Sequence, residues 1–221
     1  QRGELRVGIA YTRGRAILPG ILEAFAGVYP NVRVILTEER NHTLQNLLHE
    51  GRVDLAIARF QKPLPGIEVQ PFYTEDTVLL VSRQLLQTCG IDLAAHRAEI
   101  ERGDLRSLRG CSFVSGSAED ITDSLERDAF RCAGFVPEVR AESSNVETLL
   151  ELCARSVGAC FCPENLARLL LAAQPHGRLE MLRMPDTMAY PISFGYAKRA
   201  YPWSVLADFI RIARAQYPQP A

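Results

Sequence analysis

Residues 41–60, NHTLQNLLHEGRVDLAIARF, constrain the fold more than any other stretch of this 221-residue chain. Leu44, Leu47 and Leu48 fall at i, i+3 and i+4, the apolar stripe of a short helix. Asn41 is its expected N-cap, because the side-chain oxygen takes up an orphan N–H of the first turn. Gly51 stands where a helix end wants a residue at positive φ. The run from Asp54 to Ala58 is then short, apolar and uninterrupted. A half-exposed strand would alternate, so this pattern fits a parallel strand covered on both faces. Arg59 follows at the carboxyl end of that strand, where open α/β sheets bind ligands. Helix N-termini attract small anions as well, so one stretch offers two such places.

The flanking sequence extends the pattern. Residues 5–10 read as a strand, 11–14 as a turn, and 15–28 as a helix with Ile17, Leu18, Ile21, Leu22 and Phe25 at helical spacing. Pro19 is expected in its first turn, where a missing N–H is tolerated. Tyr29 and Pro30 end the helix, since the residue before proline avoids the α region. Residues 32–36 are a second strand. This βαβαβ order forces right-handed crossovers and a parallel sheet. After a proline-rich connection, 67–73 and the strongly apolar 77–81 follow. Residues 83–108 turn polar, with a surface helix expected at 92–102 carrying Leu93, His96 and Ile100 on one face.

A second α/β set begins at residue 111. Strands are expected at 111–114, 137–141, 159–162, 179–184 and 192–196. Helices are expected at 121–133, ended by Gly134, after a capping box from Ser144 to Glu147, at 165–173 and at 203–215. The last has Val205, Leu206, Phe209, Ile210 and Ala213 inward. The reading is α/β, with two Rossmann-like halves joined by crossover strands. The first half takes 1–75 and 198–221, the second 76–197, with a hinge near residues 73–77.

Composition narrows the function. Hydrophobic residues make up 47% and charged residues 23%, and the net charge is −1. The whole chain therefore gives no electrostatic case for nucleic acid or anionic membrane. No run of 18 apolar residues occurs, and the first residues carry no signal-peptide core. Of six cysteines, at 89, 111, 132, 153, 160 and 162, four stand in apolar or helical contexts, and the set reads as buried reduced thiols of a cytoplasmic protein. Cys160 and Cys162 share a strand face, but a metal would need further ligands at ligand spacing, and His176 is poorly placed to supply one. No metal and no cofactor is expected. There is no G-x-S-x-G, no HExxH and no phosphate loop, so an enzyme is not expected.

The ordered set of Leu5, Arg6, Val7 and Gly8; Leu18 and Pro19 with Phe25, Tyr29 and Pro30; Leu47, Leu48, Gly51, Arg52, Val53, Asp54, Leu55, Ala56 and Ile57; Ala133 to Pro137; and Val157, Gly158 and Pro163 resembles the effector-binding domain of LysR-type transcriptional regulators. The resemblance covers nearly the whole chain. It implies a type 2 periplasmic-binding-protein-like fold that binds a small-molecule effector, plausibly a carboxylate, between its halves. It also implies promoter DNA bound through an absent N-terminal winged helix-turn-helix, and a homodimer or homotetramer. Paired half-sites suit such symmetry. The rival reading is an extracytoplasmic solute-binding receptor of a transporter, against which unpaired cysteines and the missing leader argue.

Three positions depart from the family pattern. Ser156 replaces the glycine that usually ends the helix before Val157. Residues 85–106 form a longer connection than usual. Peroxide-sensing members carry two cysteines about nine residues apart, whereas Asp123 stands nine before Cys132, which disfavours a thiol switch.

The resemblance implies that four helix N-termini converge on the effector: Tyr11, Thr12 and Arg13; Asn41, His42 and Thr43; Ser115, Gly116 and Ser117; and Ser143, Ser144 and Asn145. Such residues also cap helices without any ligand. Arg13 and Arg59 suit bidentate pairing with a carboxylate or an internal salt bridge. Phe161 and Pro163 wall the apolar part of a ligand or pack the core. Asp54 is expected to hold the helix-to-strand turn.

Overall fold

A computed structural model describes residues 3–116, 121–173, 178–198 and 203–217. The chain divides into two compact units, residues 1–75 with 190–221 and residues 76–189. The first unit opens with strand β1 (Gly3–Ile9), helix α1 (Tyr11–Val28), strand β2 (Val32–Glu38), helix α2 (Asn41–His49), strand β3 (Leu55–Ala58) and strand β4 (Ile67–Glu75). The second unit contributes β5 (Thr77–Ser82), α3 (Arg83–Thr88), α4 (Leu93–Glu101), β6 (Ser112–Ser115), α5 (Ile121–Ala133), β7 (Glu138–Glu142), α6 (Val146–Ala154), β8 (Cys160–Pro163), α7 (Glu164–Ala173) and β9 (Leu179–Arg183). The chain then returns to the first unit as β10 (Tyr190–Ala197) and α8 (Ser204–Gln216).

The first sheet runs β2-β1-β3-β10-β4. β1 is parallel to β2 and β3, as the βαβαβ order requires, and β10 is antiparallel to both its neighbours. This corrects the expected boundary, which left 190–197 in the second half. Phe194 opposes Ile57 in β3 and stacks on Phe72, ring centroids 4.3 Å apart, so the strand's apolar face is completed only in the first unit. β3 is buried along its whole length, because α2 covers one face through Leu44, Leu47 and Leu48. Gly51, at φ +68°, ends α2 as expected, with the Arg52 N–H donating to the Leu47 carbonyl at 2.8 Å. Asp54 follows and accepts from the Arg6 backbone N–H and guanidinium at 2.8–3.1 Å, which fixes the helix-to-strand turn.

α1 starts four residues earlier than the sequence suggests. The N–H groups of Arg13 and Gly14 close onto the Ala10 carbonyl at 2.9 and 3.0 Å, so residues 11–14 are the first helical turn. Pro19 therefore lies inside the helix and removes one interior hydrogen bond, a costly position for proline in isolation. Packing compensates: Ile17, Leu18, Ile21 and Phe25 are buried, and Phe25 meets Phe209 of α8 edge to face at 5.3 Å.

In the second unit β5 pairs antiparallel with β8 and β9, and β6 pairs parallel with β7. A single bridge from Phe113 to Ala159 links the two groups of strands. That approach requires Gly158, since a Cβ there would lie 2.6 Å from the Phe113 carbonyl carbon. Ser156 forms a left-handed cap, at φ +64°, where glycine is the usual residue. The Val157 N–H reaches back to the Leu152 carbonyl at 3.0 Å, and the Ser156 hydroxyl accepts from Ser82 at 2.8 Å. The strain of a non-glycine residue there, roughly 1–2 kcal/mol, is offset by that side-chain bond.

Residues 83–108 are less superficial than their polarity suggests. Leu85, Leu86, Ile100, Leu105 and Leu108 enter a core cluster with Phe113, Phe130 and Phe161. Arg97 ties α4 to β9, donating to Glu180 at 2.6 Å and to the Met181 carbonyl at 3.3 Å.

Candidate functional site

In the first unit the predicted residues gather around one tyrosine. The guanidinium carbons of Arg13 and Arg59 lie 5.7 and 5.6 Å from the centroid of the Tyr190 ring, within cation–π range. Arg13 is 2% exposed and its Nε donates to Glu75 at 2.5 Å. Tyr73 and Tyr190 donate their hydroxyls to the same carboxylate at 3.0 and 3.4 Å. Burial alone would lower the Arg13 pKa, but the surrounding charge of Glu75, with Tyr190 and Tyr73, outweighs it and the net shift is upward. Arg13 thus takes the internal salt bridge, yet its Nη1 is buried with no hydrogen-bond partner.

Asn41 is not the N-cap. Arg40 occupies that position without a side-chain cap bond, and the Asn41 Oδ1 instead accepts from the Arg59 backbone N–H at 3.0 Å. Gln45 donates to the Arg59 carbonyl at 3.0 Å. α2 therefore grips the end of β3 from both sides. The Arg59 side chain is half-buried over Tyr190. Among the described residues no carboxylate pairs with it. Thr12 and Thr43 are half-buried at their helix starts, and Tyr11 and His42 are exposed.

In the second unit Ser115 and Ser143 come together, the Ser143 N–H donating to the Ser115 carbonyl at 3.1 Å. The cap of α6 is Asn145 rather than Ser144: its Oδ1 accepts from the Glu147 N–H at 2.9 Å, while the Ser143 hydroxyl accepts from the Asn145 N–H at 3.1 Å. The cap falls one residue later than the expected capping box, because asparagine closes the shorter Asx loop to the second N–H. Ser144 is exposed, Gly116 follows β6, and Ser117 and His176 lie outside the described residues. Phe161 is core: it is 4% exposed and meets Phe130 edge to face at 5.9 Å. Pro163 is buried at the end of β8 opposite Thr77.

The sequence reading missed three residues. Glu75 and Tyr190 sit where the chain leaves and re-enters the first unit, and nothing in the local pattern around either residue marks it out. Glu126 lies on the buried face of α5 and accepts from the Ser115 hydroxyl at 2.7 Å. Burial pushes its carboxyl up to about 7, against the Ser115 bond and with the help of Asp123. The signal was available in the spacing of Thr122, Asp123, Glu126 and Phe130 along one face.

No group of three or more potential metal ligands exists among the described residues, and none of their helices is long and apolar enough to cross a membrane. Cys132 is exposed, whereas Cys111, Cys153, Cys160 and Cys162 are buried. The Cys111 thiol is pushed up to about 12 by burial and its contact with Cys89, which opposes thiolate reactivity.

Two α/β units exchanged by crossing strands, with helix N-termini and a cationic strand end in the first, define a ligand-binding fold of the type 2 periplasmic-binding-protein kind. The model of the LysR substrate binding domain matches residues 1–218, and the chain belongs to that family of transcriptional regulators. It is 32% identical over 222 residues to a probable hydrogen peroxide-inducible genes activator of Streptomyces viridosporus, covering 98% of this chain and 67% of that protein. The effector binding domain of QuiR in complex with shikimate superposes with a TM-score of 0.72 at 18% identity, covering 98% of this chain and 97% of that one. Full-length CbnR complexed with its target DNA superposes with a TM-score of 0.69 at 24% identity, covering 96% of this chain and 69% of that one. The chain spans 53–60% of the length of several curated relatives it matches, among them the nitrogen assimilation regulatory protein of Klebsiella aerogenes.

Proposed function

We propose that this domain senses a small carboxylate bound between its two units and thereby controls DNA binding by a helix-turn-helix segment outside the 221 residues. The observation that carries the carboxylate assignment is the pair of open cationic donors at Tyr190: Arg59 with no carboxylate partner among the described residues, and the orphaned Nη1 of Arg13. A permanent charge at low dielectric gains most from an anionic acceptor. The starts of α1 and α2 in the same unit favour an anion further. Ser115, Gly116, Ser117, Ser143 and Ser144 supply the second unit's contacts in this reading. Effector binding then shifts the population toward one arrangement of units or subunits, by as much as its affinity differs between them. The full protein works in the cytoplasm as a dimer or tetramer on paired half-sites.

The test is a thermal-shift panel of shikimate, benzoate and succinate against their neutral amides. A ligand that binds only the folded state raises its melting temperature by mass action. Arg59→Gln should weaken binding of a stabilising carboxylate by about tenfold or more, as expected for loss of a charge-assisted hydrogen bond. Equal stabilisation by acids and amides, or unchanged affinity in Arg59→Gln, rejects the assignment.

A further inference from the structure

In the second unit Ser115 and Gly116, at the end of β6, line a cavity of about 710 Å³ bordered by α5 and β7. The size falls within the usual range for small-molecule sites. Phe135 and Val139 give it apolar walls. Its charged lining is uneven. Arg127 pairs with Asp123, and Arg131 pairs with Asp128 at 2.8 Å. Both arginines are exposed, so water screens what the pairing leaves. Glu126 and Glu142 remain, neither with an ion-pair partner among the described residues.

Glu126 is 4% exposed. One of its oxygens accepts from the Ser115 hydroxyl at 2.7 Å, and the other has no hydrogen-bond partner among the described residues. Burial first, and then the like charges of Asp123 and Glu142, raise its pKa to about 7 against the Ser115 bond and Arg127. The Cys160 thiol of β8 also lies within its field. Ser115 sharpens the selection. A hydroxyl has one hydrogen, and this one is committed to Glu126. The Ser115 oxygen therefore has only lone pairs left to offer, which suit an N–H donor and oppose a carboxylate. A buried carboxylate short of a counter-ion likewise gains most from a cation.

We propose, resting on the effector reading above, that the effector carries an ammonium group beside its carboxylate, and that Glu126 and Ser115 receive the ammonium. The ligand is then an amino acid rather than a plain acid. Arg59 of the first unit takes its carboxylate, and the second unit answers with the opposite charge. The arriving ammonium ionises Glu126, and the displaced proton leaves to solvent.

The 221-residue chain is screened by thermal shift and calorimetry with glycine, leucine and γ-aminobutyrate. Acetate, isocaproate and butyrate are the same acids without the amino group. At least one amino acid should stabilise the fold and bind at least about tenfold more tightly than its parent acid, the size expected for one charge-assisted contact. Glu126→Gln should erase that preference while binding the parent acid no more weakly. Arg59→Gln should weaken both. Calorimetry at pH 7 in phosphate and in Tris should show release of roughly half a proton on binding, since Glu126 is about half protonated beforehand; Glu126→Gln should release none. No amino acid binding, a parent acid that binds as tightly, a preference that survives Glu126→Gln, or proton uptake in place of release each overturns the proposal. Uptake would mean that protonated Glu126 frees the Ser115 hydroxyl to donate to a carboxylate. In each of these cases a carboxylate response that falls in Arg59→Gln keeps the effector reading standing. Binding that depends on Glu126 but not on Arg59 rejects the effector reading and leaves the ammonium site.

Discussion

Replacing Glu75 by glutamine should destabilise the first unit strongly, although it changes one atom type. Glu75 is 1% exposed and Arg13 2%, so neither charge is solvated. Arginine cannot shed its proton, and Glu75→Gln leaves a buried cation whose only carboxylate has gone. Breaking a buried pair from one side costs about 3–5 kcal/mol. At about 2–4 °C per kcal/mol for a chain of this size, the melting temperature should fall by roughly 6–20 °C. Arg13→Met should cost less, because the stranded carboxyl can protonate. The double variant Arg13→Met/Glu75→Gln keeps an acceptor for the hydroxyls of Tyr73 and Tyr190 and removes both charges. It should therefore be more stable than the sum of the single changes by at least about 2 kcal/mol, a coupling typical of contacting residues. Urea unfolding followed by Trp203 emission reads the unit that contains the pair. A Glu75→Gln loss below about 1 kcal/mol, or single effects that simply add, would refute the reasoning.

Other expectations follow from the same kind of argument. Glu126 is pushed up to about 7 from 4.5, so the folded chain holds a proton that the unfolded chain releases between those values. Stability therefore falls as pH rises through that window and levels off above it. Glu126→Gln removes this penalty, a gain on the order of 3 kcal/mol near pH 8 that fades toward the ordinary carboxylate range; urea melts by circular dichroism across that range check it, and a gain independent of pH contradicts it. Gly158→Ala should cost more than about 3 kcal/mol, since its Cβ meets the Phe113 backbone, which cannot swing aside as a side chain does; a normal melting curve would show that β6 and β8 can separate locally. Ser156→Gly should be neutral within about 1 kcal/mol, because relief of the left-handed strain is offset by chain entropy and the lost bond to Ser82. Ser156→Val should be clearly destabilising, because a β-branched residue resists positive φ. Asn41→Ala should lower thermal stability by about 1–3 kcal/mol, since it strands the Arg59 N–H; an unchanged melting temperature would mean water replaces the side chain.

Local pattern was enough for the elements and much of the topology. The run from Leu55 to Ala58 reads as a buried parallel strand because only a strand covered on both faces can be apolar at every position, and it is buried throughout. Gly51 marks the end of α2 because its backbone angle excludes most other residues, and Asp54 fixes the turn after it. The periodicity of α8 predicted which face is buried. These signals are short-range, so they survive in the linear chain.

Tertiary packing decided the rest. β10 enters the first sheet because Phe194 needs Phe72 and Ile57, which lie far away in sequence. Pro19 is tolerated inside α1 because α8 supplies the packing that the lost hydrogen bond does not. Asn41, which by itself looks like a cap, bonds to Arg59 because β3 ends beside α2. At the candidate site the sequence offered Arg13 and Arg59 as interchangeable cations. The fold distinguishes them: Glu75 and Tyr190 converge on Arg13 from the chain's exit and return, burying its charge, while no carboxylate among the described residues pairs with Arg59. Burial and charge compensation depend on which distant residues come into contact, and only the folded chain sets that.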